Sequence, residues 1–194
     1  MRLGILVLVV GSAVAAIGAA HGSELSPSNP AVLAQASPPA APAAPSAARD
    51  AIDALKAAGA TLSGPQSTQE YNSRVETARS KVKQYLDAAD AGTPPVKDAV
   101  RASLHYHDMV AKAITVRMTT AEYTALGRDP AIEQCARLKE FLANFEKPRT
   151  QTGPLSDDEA KNRGIAVIGF GLGAVLACAS DKAGEAERLL EAKP

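Results

Sequence analysis

His105-Tyr106-His107-Asp108-Met109 places two of the chain's three histidines, a carboxylate and a thioether within five residues. Imidazole, carboxylate and thioether are donors for transition metals, and histidine with methionine also ligates haem iron. Their spacing limits what they do together. Residues two apart on a helix point about 200° apart, so His105 and His107 cannot grip one ion from the same helix. The helical metal pair is spaced by three or four. His105 instead shares a face with Asp108 and Met109, while His107 lies along a seam with Leu104 and Ile114. A metal or haem on His107 therefore needs its second ligand from another helix, with Met109 and Met118 nearby in sequence. The plainer expectation is a neutral His107 hydrogen-bonded inside a helical bundle, with His105 and Asp108 as an exposed i,i+3 pair.

No other motif specifies a reaction or a cofactor. Gly169-x-Gly171-x-Gly173 lacks the spacing and the preceding strand of a dinucleotide fingerprint, and there is no phosphate loop, nucleophile elbow, His-Glu-x-x-His or calcium loop. Without Cys-x-x-Cys-His, covalent haem attachment is excluded. An active site would have to assemble carboxylates such as Asp87, Asp98 or Glu133 from separate helices, so the chain leans away from catalysis. The two cysteines, Cys135 and Cys178, are too far apart for a redox pair and are expected to form a disulfide.

The elements that position these residues are expected to be helical. Alanine dominates the apolar fraction, Trp is absent and aromatic residues make up only 4% of the chain, which favours an all-α class. Ser46 opens a first helix to Ala58, with Ile52 and Leu55 inward and Gly59 as its stop. Ser67 and Glu70 form a capping box before Tyr71, Val75, Ala78, Val82, Tyr85 and Ala89, a one-sided stripe ending at Gly92 whose tyrosine hydroxyls should reach water. Thr93-Pro94-Pro95 starts a third helix with the seam Val100, Leu104, His107, Ala111, Ile114 and Met118. It runs to Leu126, or breaks at Thr119-Thr120 into a separate short helix. Asp129-Pro130 opens a fourth, with Ile132, Cys135, Leu138, Leu142 and Phe145 inward and its stop before Pro148. Ser156 to Glu159 caps a fifth, and Asp181 to Ala192 either prolongs it or starts anew.

The fifth helix contains Gly164 to Ser180, seventeen uncharged residues with four glycines. A helix apolar all round is expected to be buried all round, with Gly169, Gly173 and Ala177 forming a groove of small residues for a close neighbour. The alternative is insertion into a membrane, for which seventeen residues is the lower limit. The disulfide sets a geometric problem. If both helices run unbroken from their shared loop, the cysteines are offset by ~18 Å at 1.5 Å per residue, and a kink near Gly164 or slack in the loop must absorb it.

Residues 1–20 read as a signal peptide: Arg2, an apolar run, then Gly18-Ala19-Ala20 as a cleavage site. Ala34-Gln35-Ala36 is a second small-x-small site, and retention as an anchor is the alternative to cleavage. Residues 21–45, rich in Pro and Ala, are expected to be a disordered leader, and 46–194 a single-domain bundle of four to five helices. Lysine and arginine total 21 and so do the acidic residues, so the basic excess of a nucleic-acid binder is absent. The sequence thus points to an exported, periplasmic or extracellular, non-enzymatic binding or structural protein of the cell envelope with an envelope protein as partner. Membrane contact through 164–180 or an uncleaved signal is the other route.

Overall fold

In the computed structural model, residues 44–61, 68–88, 92–145 and 153–192 are described, and they belong to one compact unit. The signal segment, nearly all of the leader, Ser67, Ala89 and Pro148 lie outside them. All regular structure among the described residues is helical: α1 (Ala44–Thr61), α2 (Thr68–Asp87), α3 (Pro94–Thr115), α4 (Thr120–Gly127), α5 (Pro130–Gln134), α6 (Ala136–Ala143), α7 (Asp157–Phe170) and α8 (Leu172–Glu191).

The long helices follow their apolar spacing, and the breaks follow local chemistry. Gly59 does not stop α1, which continues to Thr61. Between α3 and α4 the chain does break, because Thr119 and Glu122 form a capping box. The Thr119 hydroxyl accepts from the Glu122 amide at 3.3 Å, and the Glu122 carboxylate accepts from the Thr119 amide at 2.8 Å. The predicted fourth helix divides at Cys135, whose backbone is extended and whose sulfur accepts from the Leu138 amide at 3.2 Å, capping α6. Ser156 and Glu159 make the expected box at the start of α7. Asp181 onward simply prolongs α8.

The central helix is α3, flanked by α2 and α8, with α1 lying across α2, α8 and α3. Because α3 packs on α2 and α8 together, its buried set, Val96, Ala99, Val100, Ser103, Tyr106, His107, Met109 and Val110, shares only Val100 and His107 with the expected seam, and Leu104, Ala111, Ile114 and Met118 are half-buried. One apolar cluster joins α1 to the C-terminal halves of α2 and α8 and the start of α3. A second joins the rest of α3 to α5, α6, α7 and the start of α8. Ser103 is tied into this packing by donating its hydroxyl to the Ala179 carbonyl at 2.8 Å.

The glycine-rich stretch departs most from expectation, since it is not one buried helix. It divides at Gly171 into α7 and α8, a pair bent by 83°. Phe141 and the Val167 carbonyl crowd Gly171 so closely that a β-carbon there would lie 2.9 Å from each. The bend resolves the disulfide offset. Cys178 lies two turns past it and faces α6, and the Cys135 and Cys178 Cα atoms are 6.0 Å apart in the bonded pair. The small-residue groove is also not where spacing put it: Gly169 and Gly173 are exposed, with nothing within 4 Å of a β-carbon added at either. Close approach is instead made by Gly164 and Gly127, where α7 lies on α4. A β-carbon at Gly164 would overlap the Tyr123 carbonyl, and one at Gly127 the Ala160 carbonyl. No single described helix is long and apolar enough to cross a membrane, and α7 with α8 meets that length and composition only as the bent pair.

The packing sets three expectations for stability. Gly164→Ala should lower the urea midpoint, costing about 1–3 kcal/mol, because backbone must move to admit the methyl group. Gly184→Ala, with nothing within 4 Å of the new β-carbon, should raise stability by roughly 0.5–1 kcal/mol through helix propensity alone. Cys135→Ser should cost about 2–4 kcal/mol under oxidising conditions and nothing comparable under reducing ones, again read from urea unfolding.

Candidate functional site

The His105 to Met109 cluster is divided by its own helix. His107 is fully buried. The Tyr71 hydroxyl lies 3.0 Å from His107 Nδ1 and donates to the His107 carbonyl at 3.3 Å. Nε2 is buried with no hydrogen-bond partner. Burial pushes the imidazole down from 6.5 to about 4, against the opposing pull of the Leu55 carbonyl and of Asp108. Tyr71 and Tyr85 are themselves fully buried, so their hydroxyls do not reach water as the stripe suggested. Tyr71 is held by the histidine, and its burial raises its pKa well above the usual value.

His105, Asp108 and Met109 face the other way. With Lys112, Met118, Glu122, Ala125, Leu126, Asp129 and Ile168 they line an open pocket of about 290 Å³ bounded by α3, α4, α7 and the start of α5. His107 is therefore not part of this group, and the four residues grouped as metal candidates do not converge. Every charge lining the pocket meets an opposite one. His105 Nε2 is 2.8 Å from Asp129, Asp108 is 2.6 Å from Arg79, and Lys112 is 2.9 Å from Glu122. The Asp129 hydrogen bond raises the His105 pKa, although partial burial pulls it down. Asp129 is also the N-cap of α5, accepting from the Ala131 amide at 2.9 Å; burial pushes its carboxyl up, but these two partners outweigh it and hold the pKa low. Glu122, the partner of Thr119 and Lys112, is held down at about 2.

A histidine paired to a carboxylate is half of a nucleophile-activating array, but no hydroxyl or thiol lines this pocket to be activated. Among the described residues no group of three or more His, Cys, Asp or Glu is placed to hold a metal ion. The carboxylates Asp87, Asp98 and Glu133 lie on separate helices, exposed and paired with Lys83, Arg101 and Arg163 respectively.

A second feature, unforeseen in the sequence, lies at the bend. The three phenylalanines are all the chain has, and they come together on the surface. Phe141 and Phe145 have ring centroids 4.6 Å apart, and Phe145 stacks on Phe170 at 5.9 Å with planes 12° apart. Phe170 is 73% exposed and Phe145 52%. Phe145 was expected on the inner face with Leu138 and Leu142. It swings outward because α6 ends at Ala143, so the helical spacing stops applying before it is reached. Phe170 is the last residue of α7, and only the break at Gly171 turns it out. The signal available in the sequence was weak: Phe141 and Phe145 are four apart on a register different from Leu138 and Leu142.

Comparison of the chain with protein-family models, with curated proteins and with solved structures finds no match.

The buried imidazole carries a pH prediction. The unfolded chain titrates His107 near 6.5 and the fold only near 4, so between these values the unfolded state holds the extra proton and stability falls as pH falls. The full effect is about 3 kcal/mol, lost from roughly pH 7 toward pH 4. His105 works in the opposite sense and above that window, because its raised pKa contributes stability that is fully present below about 6.5 and is lost as pH rises beyond it. That contribution is small because its side chain is half exposed. Urea midpoints measured across this range should fall less steeply for His107→Gln than for wild type; equal slopes would assign the titration to another group.

Proposed function

We propose that the chain is an exported protein of the cell envelope that acts by docking, not by catalysis, and that its docking face is the phenylalanine patch at the Gly171 bend. In this reading residues 1–20 are a signal peptide, 21–45 a leader and 46–194 a single-domain bundle in the periplasm or outside the cell. The observation that carries it is the exposure of Phe145 and Phe170 in a chain with so few aromatic residues. Large apolar side chains leave the core at a cost, and contiguous exposed ones mark interaction surfaces.

Catalysis in the His105 pocket has less support, because its charged groups already neutralise one another and no nucleophile lines it. Metal or haem on His107 also has less support, since Tyr71 holds one ring nitrogen and the other is enclosed.

The test uses a photoactivatable benzophenone side chain in place of Phe170 in the full chain in intact cells. Irradiation should give adducts with an envelope component, whereas the same group in place of the exposed Glu191, at the far end of α8, should give few. Equal yields at the two positions, or none at 170, would overturn the docking reading.

A further inference from the structure

We propose that the patch at the bend is a lipid-facing tip, dipping into one leaflet of a bilayer without crossing it. This rests on the docking reading above and names what covers the face. Three observations carry it.

The first is chemical. Gly169, Phe170, Gly173 and Phe145 are exposed around the bend and carry no hydrogen-bonding side chain; the exposed polar side chains Asn144 and Glu140 stand behind Phe145 at the end of α6. Ile165, exposed one turn back on α7, adds only hydrocarbon. Specific protein interfaces also enrich Phe, but their hot spots are typically Tyr, Trp or Arg, whose polar ends find partners across the contact. Phenyl rings with glycine and isoleucine match acyl chains instead.

The second is length. From Gly171 the nearest charged residues along the two helices are Arg163, eight residues back, and Asp181, ten residues on. At 1.5 Å per residue those stretches are about 12 and 15 Å long. Interfacial segments lie about 5–10 Å into the headgroup and acyl boundary. The tip can therefore be immersed to that depth without bringing Asp181 into the bilayer, and Arg163 is already enclosed in the fold, its side chain 9% exposed and paired with Glu133, while the 83° bend keeps the pair from acting as a span.

The third is the backbone at the apex. The Gly171 amide donates to the carbonyls of Val167 at 2.9 Å and Ala166 at 3.2 Å, and its carbonyl accepts from the Val175 amide at 3.0 Å. Unpaired peptide groups are costly in hydrocarbon, and the residue that makes the bend brings none.

The chain has no tryptophan, so Phe170→Trp gives a single reporter in the full-length protein. With vesicles of phosphatidylethanolamine and phosphatidylglycerol, its emission should shift to shorter wavelength. Lipids brominated near the glycerol end of the acyl chain should quench it more than lipids brominated at the methyl end. Adding Phe145→Ser should weaken this vesicle-dependent shift about tenfold in the lipid concentration required. Val116→Trp, at an exposed position in the α3–α4 connection, reports attachment by the N-terminal apolar run alone and should keep its aqueous emission.

An unshifted reporter at 170 in the presence of vesicles overturns the lipid assignment. So does a shift that occurs without lipid and grows with protein concentration, which would identify a second copy of the chain as the occupant. Protein adducts from the benzophenone experiment, with no vesicle response here, would retain the docking face and replace lipid by a protein partner. Absence of adducts would remove the docking face itself.

Discussion

The 83° bend at Gly171 is the constraint on which the rest of the C-terminal half depends. Without it the charge-free run would be a single rod. Cys178 would then stand far from Cys135, and α7 could not lie against α4 while α8 lies against α3. The residue at the bend has to be small because Phe141 and the backbone of the preceding turn approach it from both sides. One glycine thereby determines which helices are neighbours, whether the disulfide closes, and which side chains face outward. The other glycines of the run contribute differently: Gly164 admits backbone contact with α4, whereas a β-carbon at Gly169 or Gly173 would meet nothing within 4 Å.

The core combines many alanines with three buried tyrosines and with Ile52, Leu55, Ile132, Leu138 and Leu142, and none of its buried side chains is a phenylalanine. Alanine-rich helix faces add dispersion contact across short interhelical distances to this bulky burial. Each tyrosine brings a hydroxyl into the core, and the fold uses two of the three to fix register, while the Tyr85 hydroxyl is buried with no hydrogen-bond partner. Tyr106 donates to the Ala131 carbonyl at 2.7 Å, tying α3 to α5. Tyr71 binds both His107 and its carbonyl, tying α2 to α3. His107 is thus part of the same scheme, a polar group whose burial is tolerated because it stays neutral.

The two surface features carry opposite chemistry. The pocket holding His105 is rich in charge, but its charges are spent on one another and on capping α4 and α5. The run from Gly164 to Ser180 through the bend carries no charge, and it opens to solvent at Phe170. Packing around the bend leaves Phe145 and Phe170 more than half exposed, stacked on each other and, for Phe145, on Phe141. That asymmetry is why a docking role fits this chain better than one in acid–base chemistry.

The sequence by itself determined the helical class, the stripe of α2, the proline and capping-box starts of α3, α5 and α7, and the pairing of the two cysteines. Each of these rests on interactions within a few residues or, for the cysteines, on there being only one pair to make. It also determined that His105 and His107 could not act together, since that follows from helical geometry alone. Tertiary structure decided what periodicity cannot encode. The break at Gly171 reflects the crowding of Phe141, which belongs to another helix. Helix ends at Ala143 and Phe170 decided which phenylalanines face solvent. The burial of His107 depended on Tyr71, thirty-six positions earlier in the chain. In each case the deciding partner is distant in sequence, and its position is set only when the helices pack.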